Sequence, residues 1–282
     1  MESKKSKEMS NISIIQQKEL DLLKNVILIC QKYDIQYYAL GGTLLGAVRH
    51  QGFIPWDDDI DIGMPRKDYE KFLKVASEEL QYPYSIVSEE LTKDYTKAFA
   101  AVRDLSTKII MTSSNIHSEE SIWLDIFPID GMPSGFFKKK IHSYNYLFSR
   151  MMVQLSQFDK IVNQDKDGRP LFERLIITVA NVIHIEKILK YSTWSKYYKN
   201  CITKYDMTAS FAGNYTGAYK LKEIVPSDYF SEPTTLEFEG IPLKVPKRYK
   251  DYLVAIYGEN YMQLPPEEKR VPHQYEIITL GD

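Results

Sequence analysis

"GGTLLGAVRHQGFIPWDDDIDIGM", residues 41–64, sets a glycine pair ahead of four aspartates, three of them adjacent, in a chain whose formal net charge is only −2. The end of the stretch, DIDIGM, alternates polar and apolar residues with period two, which reads as a half-buried strand. Alternate side chains of a strand share a face. Asp59 and Asp61 therefore point one way, and Ile60 and Ile62 point into the core. Asp57 has the parity of the first pair, and Asp58 points away. Two carboxylates on one face, with room for waters and a phosphate oxygen, suit Mg²⁺, with Mn²⁺ as its substitute. Upstream, the aromatic-rich IQYYALGG reads as a strand that ends at Gly41 and Gly42 and opens a helix. A glycine turn lets the backbone approach a phosphate, and a helix N-terminus presents unpaired N–H groups. Thr43 adds a hydroxyl and is placed to cap that helix. Arg49, two turns on, is placed to reach a second phosphate as a bidentate fork.

Two plainer readings compete. A run of aspartates is most often a solvated loop. An EF-hand is the other rival, since Asp57, Asp59 and Asp61 match its first three ligand positions and Asp68 its twelfth. That loop needs a glycine at its sixth position, where Ile62 stands, and Pro65 starts a helix inside it.

The remaining sequence bounds the class. The chain has 282 residues and is 44% apolar, enough for a substantial core. The near-neutral charge supplies no global positive field for nucleic acid. Cys30 and Cys201 form no metal-ligand spacing, and this usage fits a reducing compartment. The polar start, MESKKSKEMS, lacks a signal-peptide core. The longest apolar run, LIITVANVIHI, is too short to span a bilayer. The expectation is a cytoplasmic protein, with a peripheral place at the inner face of a membrane left open.

Along the chain, residues 1–11 read as disordered. Residues 12–135 follow as helix, strand, helix, strand, helix, strand, strand, with the last two strands in KAFAAVRDLSTKIIM and SIWLDIFPI. Pro65 suits the first turn of a helix over about residues 66–80. Residues 136–210 are helical, basic and aromatic, and read as an insertion. Residues 211–282 hold a hairpin, TTLEFEGIPLKVP, and a helix, KRYKDYLVAIYG, that complete the first domain. The class is α+β.

The glycine pair followed by acid–apolar–acid–apolar resembles the nucleotidyltransferase fold. The longer string GGTLLGAVRHQGFIPWDDDID resembles the LicD family of phosphocholine transferases together with the fukutin-type phosphotransferases. WLDIFPID at residues 123–130 and VPKRYKDYLVAIYGENYMQLPP at residues 245–266 resemble it too. The resemblance implies a mixed sheet flanked by helices. It implies transfer of phosphocholine, or a related phospho-alcohol, from CDP-choline or another CDP-alcohol to a hydroxyl of a glycan, with release of CMP. The acceptor would be a teichoic acid or lipopolysaccharide precursor, free or lipid-linked. It makes Asp59 and Asp61 metal carboxylates and Asp125 a third acid, as ligand or as base for the acceptor hydroxyl. A nucleotidyltransferase acting on a small molecule and a non-catalytic nucleotide- or glycan-binding protein remain the alternatives.

Other groups carry less. Lys97 and Arg103 are placed to hold donor phosphates if their strand alternates, with a solvated face as the rival. His273 is placed to fold back over the site, or is a surface histidine. Trp56, Trp123, Tyr37 and Tyr38 lie near the motifs and could cage a quaternary ammonium, or are core. In GFFKKKIHSYNYLFSRMM, Phe136 and Phe137 precede Lys138, Lys139 and Lys140, with Tyr144, Tyr146 and Phe148 behind. That mixture suits a membrane interface, or a helix with its aromatics turned inward.

Overall fold

The computed structural model describes residues 2–111, 118–158, 171–271 and 275–281. His273 lies outside them. The DIDIGM alternation becomes strand β2 (Asp61–Pro65), with Ile62 and Met64 fully buried. β2 runs antiparallel to β1 (Tyr38–Ala39) and parallel to β5 (Ser118–Met132). β5 is antiparallel to β4 (Ala100–Met111) and, at its far end, to β6 (Phe211–Asn214). β3 (Tyr84–Val87) and β10 (Tyr275–Thr279) pair with β4, and β7 (Ile224–Pro226) pairs with β6. The result is one mixed sheet with an α+β pattern of flanking helices. The short strands β3, β6 and β7 have no clear alternation in the sequence, and their pairing partners are what make them strands.

Helix α1 (Glu2–Lys32) buries Leu22, Leu23 and Val26 against the sheet. Its backbone is helical through residues 2–11 as well, where the polar sequence reads as disordered. Helix α2 (Gly41–His50) follows β1 directly. Gly52 does not continue it: Gln51 closes the helix in the left-handed conformation. Pro55 begins a turn, and the Asp57 N–H donates to the Ile54 carbonyl at 2.8 Å. Helix α3 (Arg66–Glu79) starts after Pro65, as the sequence implies, and buries Tyr69, Phe72, Leu73 and Ala76.

The middle of the chain is helical: α4 (Phe136–Leu155), α5 (Leu171–Ile183), the single turn α6 (Ile185–Ile188) and α7 (Tyr191–Ile202). A second apolar cluster of Met132, Tyr146, Tyr198, Ile202, Tyr215 and Ile224 docks α4 and α7 on the end of the sheet. Tyr215 is its pivot. Its hydroxyl donates to the Gly131 carbonyl at 2.9 Å, and its own carbonyl accepts from the Tyr146 and Tyr198 hydroxyls, each at 2.9 Å. Tyr146 is thus core, whereas Phe136, Phe137, Tyr144 and Phe148 of the same helix are exposed. No helix among the described residues is long and apolar enough to cross a membrane.

The hairpin of β8 (Thr234–Phe238) and β9 (Ile241–Val245) forms as the sequence implies and packs on β1 and α2. Its tip clamps the end of α2: the Glu239 N–H donates to the Gln51 carbonyl at 2.9 Å, and its carboxylate accepts from the Phe53 N–H at 3.0 Å. Helix α8 (Tyr249–Tyr257) completes the domain with Tyr252 and Leu253 buried.

One buried ion pair joins α3 to β5. Arg66 Nε and Nη2 donate to the two carboxylate oxygens of Asp130 at 2.8 and 2.5 Å, and Asp130 is 1% exposed. Burial outweighs the arginine and lifts the Asp130 pKa above its ordinary value, so the pair costs much of what it returns. Arg66→Met, which strands the carboxylate, should lower the unfolding free energy by about 3–5 kcal/mol in denaturant titration, whereas Arg66→Met with Asp130→Leu should regain most of it.

Candidate active site

The parity of the aspartate run holds. Asp57, Asp59 and Asp61 line one cavity of about 790 Å³, while Asp58 is buried on the other side near Tyr275. Parallel pairing sets Asp61 of β2 opposite Asp125 of β5, and Asp125 lines the same cavity. The Asp125 N–H donates to the Ile60 carbonyl at 3.0 Å, locking the two strands where the acids meet. From below, α1 supports the loop: the Gln16 amide donates to the Asp57 carbonyl at 2.7 Å.

The glycine pair has a steric reason. A Cβ on Gly41, whose φ is +50°, would lie 2.7 Å from Asp61 Oδ2, and one on Gly42 would lie 2.3 Å from Asp57 Oδ2. Only hydrogen at these two positions lets the carboxylates rest on the start of α2, where the helix dipole favours negative charge. Thr43 does not cap the helix. It is buried within the first turn, and its hydroxyl accepts from the Asp61 N–H at 2.8 Å, fixing the strand instead.

Arg49 lines the cavity from the end of α2. Its Nη1 donates to the Tyr261 and Gln263 carbonyls at 3.2 and 3.4 Å, so it also braces the segment after α8. Lys97 and Arg103 do not line the cavity. Lys97 sits over the Phe99 and Trp123 rings, and Arg103 pairs with Glu120 at 2.9 Å. Lys97 still acts through space, since it is the main opponent of the burial that raises Asp125. Of the four aromatic candidates, Trp56 lines the cavity. Tyr37 and Tyr38 are core, with the Tyr38 hydroxyl donating to the Ser231 carbonyl at 2.8 Å.

Several residues at the cavity are absent from the sequence reading. Arg150 reaches it from α4 and donates to the Tyr215 carbonyl at 2.9 Å. The segment NYTGAY after β6 forms another wall. Asn214 Oδ1 accepts from the N–H groups of Thr216 and Gly217 at 2.8 and 3.1 Å, which folds the segment into a tight turn. Glu223 lines the cavity behind it, accepting from the Tyr219 N–H at 2.8 Å. Tyr219, Tyr257 and Tyr261 face the same space, the first two edge to face at 5.3 Å. Asn214 and Gly217 are turn-forming residues in the sequence, but nothing local says what the turn faces.

The electrostatics are lopsided. Asp57, Asp59, Asp61, Asp125 and Glu223 line the cavity against Arg49 and Arg150. Burial lifts Asp61 well above its ordinary pKa, with Asp59 and Asp125 adding repulsion. Burial likewise lifts Asp125 to about 6, opposed by Lys97 and reinforced by Asp59, and lifts Glu223 to about 7. Asp125 Oδ1 is buried without a hydrogen-bond partner. Crowded acids and an orphaned carboxylate oxygen fit a hard divalent cation. Among the described residues no group of three or more acid, histidine or cysteine side chains is placed to hold a metal ion as it stands. Mg²⁺ does not require one, because it keeps several waters and binds through one or two carboxylates plus substrate phosphates.

Glu223 gives a stability test. Its folded pKa, about 7, exceeds its ordinary 4.5, so between these values the folded state keeps a proton that the unfolded chain releases. Wild type therefore loses stability as pH rises through that window. Glu223→Gln should gain on wild type across the same window and level off above it, by at most about 3 kcal/mol in denaturant titrations at stepped pH.

The family LicD/FKTN/FKRP, nucleotidyltransferase domain, matches residues 34–154, which hold Asp57 through Asp61, Asp125 and Arg150. The chain is 32% identical to the lipopolysaccharide cholinephosphotransferase LicD of Haemophilus influenzae over 266 residues, covering 91% of this chain and 93% of that protein. A protein of Rickettsia prowazekii is 32% identical over 118 residues, 41% of this chain and 40% of its own. The human ribitol 5-phosphate transferase FKRP is 42% identical over 43 residues, 15% of this chain and 9% of its own length. With near full-length likeness on both sides and the acids of the motif gathered in one cavity, the chain belongs to the LicD family.

Proposed function

We propose that this protein transfers phosphocholine, or a closely related phospho-alcohol, from a CDP-linked donor to a hydroxyl of a glycan and releases CMP. The carrying observation is the cavity itself, with five acids against two arginines. A pyrophosphate entering such a space is repelled unless a cation comes with it. Asp59, Asp61 and Asp125 would hold that cation, which when bound neutralises phosphate charge and aligns an in-line displacement.

The chain's own residues account for the rest. Arg49 and Arg150 supply donors for phosphate oxygens. Trp56, Tyr219, Tyr257 and Tyr261 offer aromatic faces of the kind that hold a trimethylammonium group. The acceptor hydroxyl oxygen forms a bond to the phosphorus bearing the alcohol, and the bond from that phosphorus to the bridging oxygen breaks, so CMP departs. The hydroxyl proton passes to a carboxylate. Glu223, with a pKa of about 7 and outside the three acids that would hold the cation, suits that task at neutral pH. The full-length likeness to the Haemophilus LicD protein supports choline and a lipopolysaccharide precursor. The match to human FKRP covers a short segment and bears on the shared motif rather than on the alcohol.

Incubation with CDP-choline, Mg²⁺ and a glycan acceptor should release CMP; release of pyrophosphate from a nucleoside triphosphate would instead mark nucleotidyl transfer. Thermal shifts with CDP-choline, CDP-ribitol and CDP-glycerol, with and without Mg²⁺, should rank the donors.

Asp59→Ala and Asp61→Ala should each abolish turnover. The Asp61 variant should also melt higher than wild type without metal, because a buried repelling charge is gone. Near-normal activity of either variant at saturating Mg²⁺ would remove that residue from the site. Arg49→Lys should weaken donor use about tenfold or more, since a point charge does not replace a planar fork. Calorimetry that finds CDP-choline bound equally by wild type and Arg49→Ala would sink its assignment.

A further inference from the structure

Helix α4 has two faces with opposite tasks. His142, Tyr146 and Ser149 are buried against the domain. On the far side Phe137, Ile141, Tyr144, Phe148 and Met151 recur at spacings of four, three, four and three, a single helical stripe. Every member is between 42% and 77% exposed. The stripe continues onto α7, because the Phe148 ring meets Trp194 at 5.8 Å and Trp194 meets Tyr197 at 5.9 Å, with Tyr197 exposed. An apolar face of this kind on a helix pair is far from the scattered exposed residues of an ordinary surface.

The charges around the stripe choose its occupant. Neither α4 nor α7 contains an acidic residue, although the chain as a whole carries −2. Lys140 lies beside the stripe, near the Phe136 and Tyr144 rings at 5.7 and 6.0 Å. A cleft of about 420 Å³ between α4 and α7 is lined by Lys138, His142 and Lys204. A second copy of this chain, docked face to face, would oppose two lysine-bearing helix pairs with no acid of their own. Exposed aromatics and aliphatics flanked by lysines, on two helices that carry no acid of their own, match the boundary between head groups and acyl chains of a negatively charged bilayer, although Glu89 and Glu90 meet α7 at Tyr191, Ser195 and Lys199.

We propose that the α4–α7 face docks the protein on an anionic membrane surface, with Phe137, Ile141, Tyr144 and Phe148 entering the interface and Lys138 and Lys140 meeting lipid phosphates. The docking is peripheral, since the helices lie along the surface of the domain. It is independent of the transfer reaction proposed above, and its failure would leave that reading untouched.

Flotation with phosphatidylcholine vesicles, with and without phosphatidylglycerol, tests it. Wild type should float with the anionic vesicles at low salt, stay behind with neutral ones and detach as salt rises. Lys138→Glu with Lys140→Glu should lower partitioning at least about fivefold per reversal. Phe137→Ser with Ile141→Ser and Tyr144→Ser should abolish it. Both variants change exposed side chains, so their melting temperatures should match wild type, and CMP release from soluble substrates should persist. The proposal is overturned if wild type ignores anionic vesicles. It is equally overturned if either variant floats as well as wild type, or if wild type sediments as a dimer that the triple variant dissolves.

Discussion

Parallel pairing of β2 with β5 is the constraint on which the site rests. It brings Asp61 opposite Asp125, two acids more than sixty positions apart in the chain, and both line the same cavity. Like charges in such a place repel, and the fold must supply the restraint. The Thr43 hydroxyl on the Asp61 N–H, the Ile60 carbonyl on the Asp125 N–H and the Gln16 amide under Asp57 are that restraint. The glycine pair adds room where a methyl group would collide with the carboxylates. The scaffold spends its stability on a destabilised centre, a common arrangement where binding or chemistry later relieves the strain.

The cavity is assembled from opposite ends of the chain. The acids come from β2, the loop before it and β5, whereas the aromatic wall comes from the segment after β6 and from α8. Arg49 connects the two, since it sits on α2 yet holds the carbonyls of Tyr261 and Gln263. Carboxylates and arginines thus stand beside aromatic rings around one opening.

The helical region belongs to the same construction. Arg150 on α4 enters the cavity from one face, and the stripe beginning at Phe137 covers the opposite face of the same helix. Tyr215 anchors that helix to the sheet through Tyr146 and Gly131. A single rigid element therefore relates the position of the site to the exposed apolar surface.

The sequence by itself determined the strands β2, β4 and β5, the hairpin β8–β9, the helices α1, α3, α4 and α8, and the parity that separates Asp57, Asp59 and Asp61 from Asp58. These follow from periodicities of 2 and 3.6, which are local properties of neighbouring side chains. The motif around Gly41 and Asp59 also carried the family. The tertiary structure decided what periodicity does not contain. Thr43 looks like a cap, but its hydroxyl finds the Asp61 N–H on another element. Tyr37 and Tyr38 look available, but the hairpin and its flanking segment cover them. Glu223, Arg150 and Tyr257 look unremarkable in sequence and become cavity residues only because β6, α4 and α8 pack around one opening. Whether a polar side chain meets solvent, another charge or a cavity depends on elements distant along the chain, and that pairing is set by packing rather than by local pattern.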